Sequence, residues 1–174
     1  MSELAPAKLD TNKYQVVIDK STIISIDRTV PFDPAEFISK GWSIVEEDER
    51  SLALTELDLS KVSFESMLNQ DQGETSIKGE VKLKRLKVAD HIRLDAKIFL
   101  TLWENQQLIP GSWKEKINGS TRYNFFDGTI LLGPLGDRCV IYLFWDGGRW
   151  RWDCYWLGLC CWCANFPSVV LVSK

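Results

Sequence analysis

From Arg149 to Trp156 the chain reads Arg-Trp-Arg-Trp-Asp-Cys-Tyr-Trp, polar and apolar residues in alternation. Side chains on a β-strand point to opposite faces with a period of two. Trp150, Trp152, Cys154 and Trp156 therefore share one face, and Arg149, Arg151, Asp153 and Tyr155 share the other. Burying one Trp removes roughly 200 Å² from water, so the three indoles are expected to turn inward and the opposite face to meet solvent. Tyr and Arg combine large contact area with directional hydrogen bonds, which makes that outer face a candidate binding surface.

The residues around this strand extend the β pattern. Thr121 to Phe126, Thr129 to Leu132, Arg138 to Trp145 and Val169 to Val172 read as further strands, punctuated by Asp127-Gly128, Gly133-Pro-Leu-Gly136 and Asp146-Gly-Gly148. Asp-Gly between apolar runs signals a type I′ hairpin turn, which needs positive φ at both central residues. The following run, Leu157-Gly-Leu-Cys-Cys-Trp-Cys-Ala-Asn-Phe166, repeats with neither a helical nor a strand period and reads as a loop. Loops normally run exposed and polar, so an apolar, thiol-rich one marks a contact site, unless it folds inward to complete a small core.

Upstream the signals are mixed. Tyr14, Val16 and Ile18 alternate, as do Ile24 and Ile26, suggesting two short strands after a frayed tail over residues 1–12. Asp33-Pro34 reads as a helix N-cap followed by Pro at the first helical position, with Gly41 as the stop. Trp42 to Val45 and Leu52 to Leu54 look like strands flanking a solvated charged turn, Glu46-Glu-Asp-Glu-Arg50. Ser76 is placed to cap a helix running to about Val88, and Asp95 a second one carrying the i,i+4 pairs Ile98/Leu102 and Phe99/Trp103. These elements predict an α+β protein, two helices packed on a twisted antiparallel sheet. Residues 13–55 would form an N-terminal portion packed on a main domain over 56–174. A small SH3-like β-barrel with a helical N-terminal part is the alternative.

Composition narrows the function classes. The 174 residues carry a net charge of -3 with a pI near 5.3, which gives no electrostatic reason to expect nucleic acid. The basic run Lys78, Lys82, Lys84, Arg85 and Lys87 reads as a wet helix face, because Glu80 and Asp90 dilute it. The longest apolar run, Cys139 to Trp145, falls far short of the roughly 20 residues a membrane span needs, so no membrane insertion is expected. The N-terminus lacks an apolar signal-peptide core, so synthesis in the cytoplasm is expected.

Metal and enzyme chemistry find little footing. Cys160 and Cys163 form one Cys-x-x-Cys, whereas a structural zinc site wants four ligands, and Cys139, Cys154 and the single His91 stand at no suggestive spacing. No metal or cofactor is expected, and the cysteines read as free thiols. One His, in a turn, must serve any triad. The enzyme runner-up, by fold analogy alone, is a formylglycine-generating type of oxidase, with Cys160 and Cys163 imitating its thiol pair. A structural subunit of a phage-tail type of particle is the other alternative to a binding protein.

Residues 117–173 hold all five Cys and five of the eight Trp, but no Lys, Glu, Gln, His or Met. Apart from its Trp residues, Cys139 to Phe166 contains only residue types that codons ending in T or C can encode. Random substitution within such codons would alter their residues while leaving a Trp framework untouched. Several stretches resemble a set of small bacterial hypothetical proteins: Pro31-Phe-Asp-Pro-Ala-Glu-Phe37, Asp48-Glu-Arg-Ser-Leu-Ala-Leu-Thr-Glu56, Leu94-Asp-Ala-Lys-Ile-Phe99, Leu102-Trp-Glu-Asn105 and Leu108-Ile-Pro110. The ending, with Trp145-Asp-Gly-Gly-Arg-Trp150 and Pro167-Ser-Val169, resembles the variable proteins of diversity-generating retroelements.

That resemblance implies a C-type-lectin-like domain that binds a macromolecular ligand, a protein above all, and is not an enzyme. Residue by residue, it implies variable positions at Arg151, Asp153, Tyr155, Gly158, Leu159, Cys160, Cys161, Cys163, Ala164, Asn165 and Phe166. It implies a fixed scaffold at Trp150, Trp152, Trp156, Leu157 and Trp162. The chain departs from the usual pattern in being poor in Asn and Ser there, rich in Cys, and closed by Ser168-Val-Val-Leu-Val172 rather than a Gly-Phe-Arg type of strand.

Overall fold

The structure, a computed structural model, describes residues 21–172; the expected tail over 1–12 and the strand around Tyr14, Val16 and Ile18 lie outside the described residues. In chain order these residues form β1 (Ile23–Ser25), α1 (Pro34–Phe37), β2 (Ser43–Glu47), α2 (Glu49–Leu52), β3 (Glu56–Asp58) and β4 (Val62–Glu65). Then follow β5 (Ser76–Ile77), α3 (Gly79–Val88), β6 (Ile92–Arg93), α4 (Ala96–Glu104), β7 (Tyr123–Phe125) and β8 (Thr129–Leu132). Last come β9 (Arg138–Asp146), β10 (Arg149–Trp156), β11 (Trp162–Cys163) and β12 (Ser168–Leu171).

The protein is α+β, with few helices and mostly antiparallel pairing. The main sheet runs β2-β8-β9-β7-β12-β4, with β10 on β9 and β6 on β12; two-stranded ribbons β1-β3 and β11-β5 stand beside it. Its one parallel contact is the register point Ser168↔Phe125 between β12 and β7. β1 pairs with β3 across residue 55 and β2 is a strand of the main sheet.

Neighbouring residues of β9 show how the sheet is covered. Val140 enters one apolar cluster and Ile141 another, and successive residues of a strand face opposite ways, so the clusters lie on opposite faces. The larger one holds Ile98, Phe99 and Leu102 of α4 with Ile24 and Leu57 of the β1-β3 ribbon. The smaller one holds Leu83 of α3 with Phe125, Leu157 and Trp162. α4 therefore packs on one face, with Phe37 of α1 beside it, and α3 on the other.

The caps are set by single residues. Asp95 accepts hydrogen bonds from Lys97 N at 2.8 Å and Ile98 N at 3.1 Å, starting α4, and Arg28 grips the same carboxylate with two nitrogens at 3.0 Å. Asp33 caps α1 ahead of Pro34. Gly147 and Gly148 both have positive φ, 57° and 80°, which closes β9 onto β10 with the register Arg149↔Asp146.

Several sequence expectations are corrected. Leu52 to Leu54 is no strand: Asp48, buried, accepts from Arg50 N and nucleates the turn of helix α2. The charged turn is solvated only in part: Glu47, Glu49 and Arg50 are exposed, but Glu46 and Glu47 belong to β2, and Asp48 is buried and pairs with Arg93. Ser76 is not a cap but a strand residue paired with Cys163, so α3 begins three residues later.

Thr121 to Phe126 and Thr129 to Leu132 are not two arms of a hairpin. β7 and β8 both pair with β9, one after the other on the same side. Between them Gly128 is required by close approach: a Cβ there would meet Arg93 O at 2.2 Å and Leu94 C at 2.6 Å.

Candidate functional site

The segment Arg149–Trp156 is extended along its whole length, as its alternation predicts. Trp150 is buried against Trp145 in an edge-to-face pair with centroids 5.4 Å apart. Trp152 is half-buried, 4.7 Å from the Phe37 ring and 6.3 Å from Phe99. Cys154 is half-buried on the same face, and burial pushes its thiol well above the ordinary range. Trp156 departs from the expectation: it lies at the end of the strand and is 46% exposed. The inward-facing indoles of β10 are therefore two rather than three.

On the other face, Arg149 and Asp153 are exposed and Arg151 is half-buried. Arg151 Nε lies 3.2 Å from Asp146 Oδ2, close enough for an ion pair but not aligned as a hydrogen bond. Asp153 Oδ1 accepts from Cys154 N at 2.7 Å. The face is not simply solvated. Toward its far end Tyr155 stands edge-on to Phe166 at 5.3 Å and to Trp162 at 5.4 Å. Tyr123, Tyr142 and Phe144, all half-buried, continue the row, with centroid spacings of 5.2 to 5.5 Å. Desolvation raises the Tyr142 hydroxyl pKa, and more weakly that of Tyr155.

The Cys-rich run is part loop and part structure. Gly158, Leu159, Cys160 and Cys161 are exposed at its tip, with the sulfurs of Cys160 and Cys161 3.8 Å apart. Trp162 and Cys163 then form β11 against β5, correcting the expectation of an irregular loop throughout. Trp162 is fully buried, and its Nε1 donates to Trp156 O at 3.2 Å. Cys163, Ala164 and Asn165 line a shallow hollow beside Asn118 and Ser120, and Asn165 Nδ2 donates to Thr121 O.

Two residues beneath this surface were not legible as part of it. Gly79, the first residue of α3, lets the loop close in: a Cβ would meet Trp162 Nε1 at 2.5 Å and Leu157 Cα at 2.7 Å. Lys82 is not on a wet helix face but fully buried. Its Nζ donates to Phe166 O at 2.7 Å and lies 4.7 Å above the Trp162 ring and 5.1 Å above Phe125. Desolvation pulls its pKa down to about 8, with the nearby Asp127 carboxylate opposing the shift. The Asp127 oxygens are themselves buried with no hydrogen-bond partner among the described residues. A charge-bearing residue at a buried helix position gives no sequence signal, because its spacing is that of any surface lysine.

Among the described residues no cluster of three or more His, Cys, Asp or Glu side chains is placed to hold a metal ion, and no helix is long and apolar enough to cross a membrane. No protein-family model, curated protein or solved structure matches the chain.

Proposed function

We propose that this chain is a ligand-binding protein of the C-type-lectin-like kind, whose C-terminal surface is diversified by a retroelement while a Trp scaffold stays fixed. One observation carries the reading. None of the eleven residues implied to be variable is buried, whereas Trp150, Leu157 and Trp162 of the implied scaffold are. The two sets interleave along the sequence; Trp152 is half-buried like Arg151 and Trp156 is exposed, so the separation is sharp at Trp150, Leu157 and Trp162. A surface that must change without unfolding its domain requires this separation of exposed from buried positions.

The site has the chemistry of protein recognition. Arg151, Asp153, Tyr155 and Phe166 offer a cation, an anion and two aromatic rings on one face, and Leu159, Cys160 and Cys161 extend it at the loop tip. Held by packed indoles, these side chains lose little further freedom when a partner docks. The partner proposed is a macromolecule, a protein before any other class. No catalytic role is assigned to any residue.

The DNA flanking the gene tests the reading. It is expected to contain a reverse transcriptase gene and a near-copy of the segment encoding Cys139 to Phe166 that differs only at adenines. A flank without either contradicts diversification.

A further inference from the structure

The β9-β10 hairpin fixes the direction of every main-chain group on β10. Its two-residue turn makes Asp146 and Arg149 a hydrogen-bonded pair, and eight residues on, Leu157 N donates to Arg138 O at 2.9 Å. Both ends agree in phase. Arg149, Arg151, Asp153 and Tyr155 turn their N–H and C=O toward β9; Trp150, Trp152, Cys154 and Trp156 turn theirs away. No described strand other than β9 pairs with β10. Among the described residues its outer edge is occupied only toward the C-terminal end, where Asp153 Oδ1 takes Cys154 N–H and Trp162 Nε1 donates to Trp156 O. The N–H and C=O of Trp150 and Trp152 have no hydrogen-bond partner among the described residues.

Open edges are usually blunted by Pro, charged side chains (Lys above all), a bulge or a covering element. β10 has no Pro or Lys and its register with β9 is unbroken; its charged residues, Arg149, Arg151 and Asp153, all lie on one face and leave the Trp150 and Trp152 side of the edge apolar. Instead a hollow of about 550 Å³ lies along the open half, lined by Trp103 of α4 and Gln106 just beyond it together with Trp150, Arg151, Trp152 and Asp153.

We infer that this edge docks an extended segment of the protein partner by strand addition, in register with Trp150 and Trp152. A segment so placed alternates its side chains between the two faces of the sheet. One set meets Trp103 and Trp152 and is apolar. The other lies beside Arg149, Arg151 and Asp153; Arg151 is already paired with Asp146, whereas Arg149 is exposed and in no ion pair among the described residues, so that set is polar, with an acidic residue beside Arg149. The occupant is an extended polypeptide of alternating apolar and polar residues, with an acidic one beside Arg149. Main-chain hydrogen bonds do not depend on which side chains stand at 151 and 153, so the docking register survives their exchange while selectivity changes. The inference rests on the binding role proposed above.

The test is a random 12-residue peptide display library selected against the full chain, with recovered peptides made synthetically. Expected are peptides with the stated alternation, slowed hydrogen exchange at the Trp150 and Trp152 amides in the complex, and one-sided sensitivity to N-methylation. Methylating the amides that face β10 weakens binding about tenfold or more, the loss of two main-chain hydrogen bonds, while methylating the alternate ones does not. Recovery of no peptide, or of peptides that leave both amides exchanging as in the unliganded protein, overturns strand addition. Slowing that grows with protein concentration and needs no peptide assigns the edge to a second copy and also overturns it. Peptides that bind at Tyr155 and Phe166 alone sink the edge and leave the surface reading standing. Strand addition whose selectivity ignores Arg151→Ser and Asp153→Ser keeps the edge and counts against that reading.

Discussion

Lys82 Nζ donates to the main-chain carbonyl of Phe166 at 2.7 Å from inside the smaller core, joining α3 to the last residue of the Cys-rich run. The same ammonium lies over the Trp162 and Phe125 rings, so it holds from below the residues that carry Tyr155 and the loop tip. The surface is thus stiffened by a charge that itself is costly to bury.

That cost gives a pH signature. Lys82 is wholly buried and its pKa falls from the ordinary 10.5 to about 8, a burden of about 3 kcal/mol at neutral pH. Between about pH 8 and 10.5 the unfolded chain holds this proton and the folded one does not, so the contribution to stability rises with pH. Cys139, pushed up to about 11 by burial, acts in the opposite sense, so the comparison must be with a variant. Chemical denaturation at pH 7.5 and 10 is expected to show Lys82→Met losing more stability over that interval than the wild type. Equal pH trends would show that the ammonium is not desolvated as described.

The indoles are expected to separate by burial. Trp162→Ala removes a fully buried ring and should cost about 3–5 kcal/mol. Trp156→Ala, at a residue 46% exposed, should cost about 1 kcal/mol or less. Urea unfolding of the two variants measures both; similar losses would contradict the assignment of Trp162 to the core.

Gly79→Ala introduces a Cβ 2.5 Å from Trp162 Nε1 and 2.7 Å from Leu157 Cα. Leu157 is backbone and cannot swing aside, so about 1–3 kcal/mol is lost despite the better helix propensity of Ala. Thermal unfolding of the variant, with Trp fluorescence as the probe, is expected to show a lower midpoint. An unchanged or raised midpoint would mean that α3 and the loop do not meet as closely as described.

The five thiols should react in order of exposure. Cys160 and Cys161 stand at the surface, Cys163 is half-buried, and Cys139 and Cys154 lie in or against the larger core with raised thiol pKa values. Thiolate is the reacting form. Alkylation followed by mass spectrometry at pH 7.5 is expected to label Cys160 and Cys161 within the native protein, and Cys139 and Cys154 only on unfolding.

What the sequence disclosed follows from where the determinants are local. The β9-β10 hairpin is legible because Gly147-Gly148 and an alternating strand are both short-range signals, and α4 because Asp95 caps it directly. β3 and β4 leave no local trace: Glu56–Asp58 is a strand only because β1 lies beside it, and Val62–Glu65 because β12 does. Ser76 resembles a cap until Cys163, far away in sequence, supplies a strand partner. Within the site, alternation placed Arg151 and Asp153 correctly, but it could not say that Tyr155 leans on Phe166 or that Lys82 stands beneath them. Those contacts depend on which helix covers the sheet, and Trp156 is left half-open because the strand ends there.

On the proposed reading the surface positions can change while the scaffold holds. Two libraries measure it, one randomised at Arg151, Asp153, Leu159, Cys160 and Cys161, the other at Trp150, Trp152, Leu157 and Trp162, each scored by resistance to proteolysis on display. Most members of the first library are expected to stay folded, and few of the second. Equal survival in the two, or loss of folding in the first, would contradict that reading.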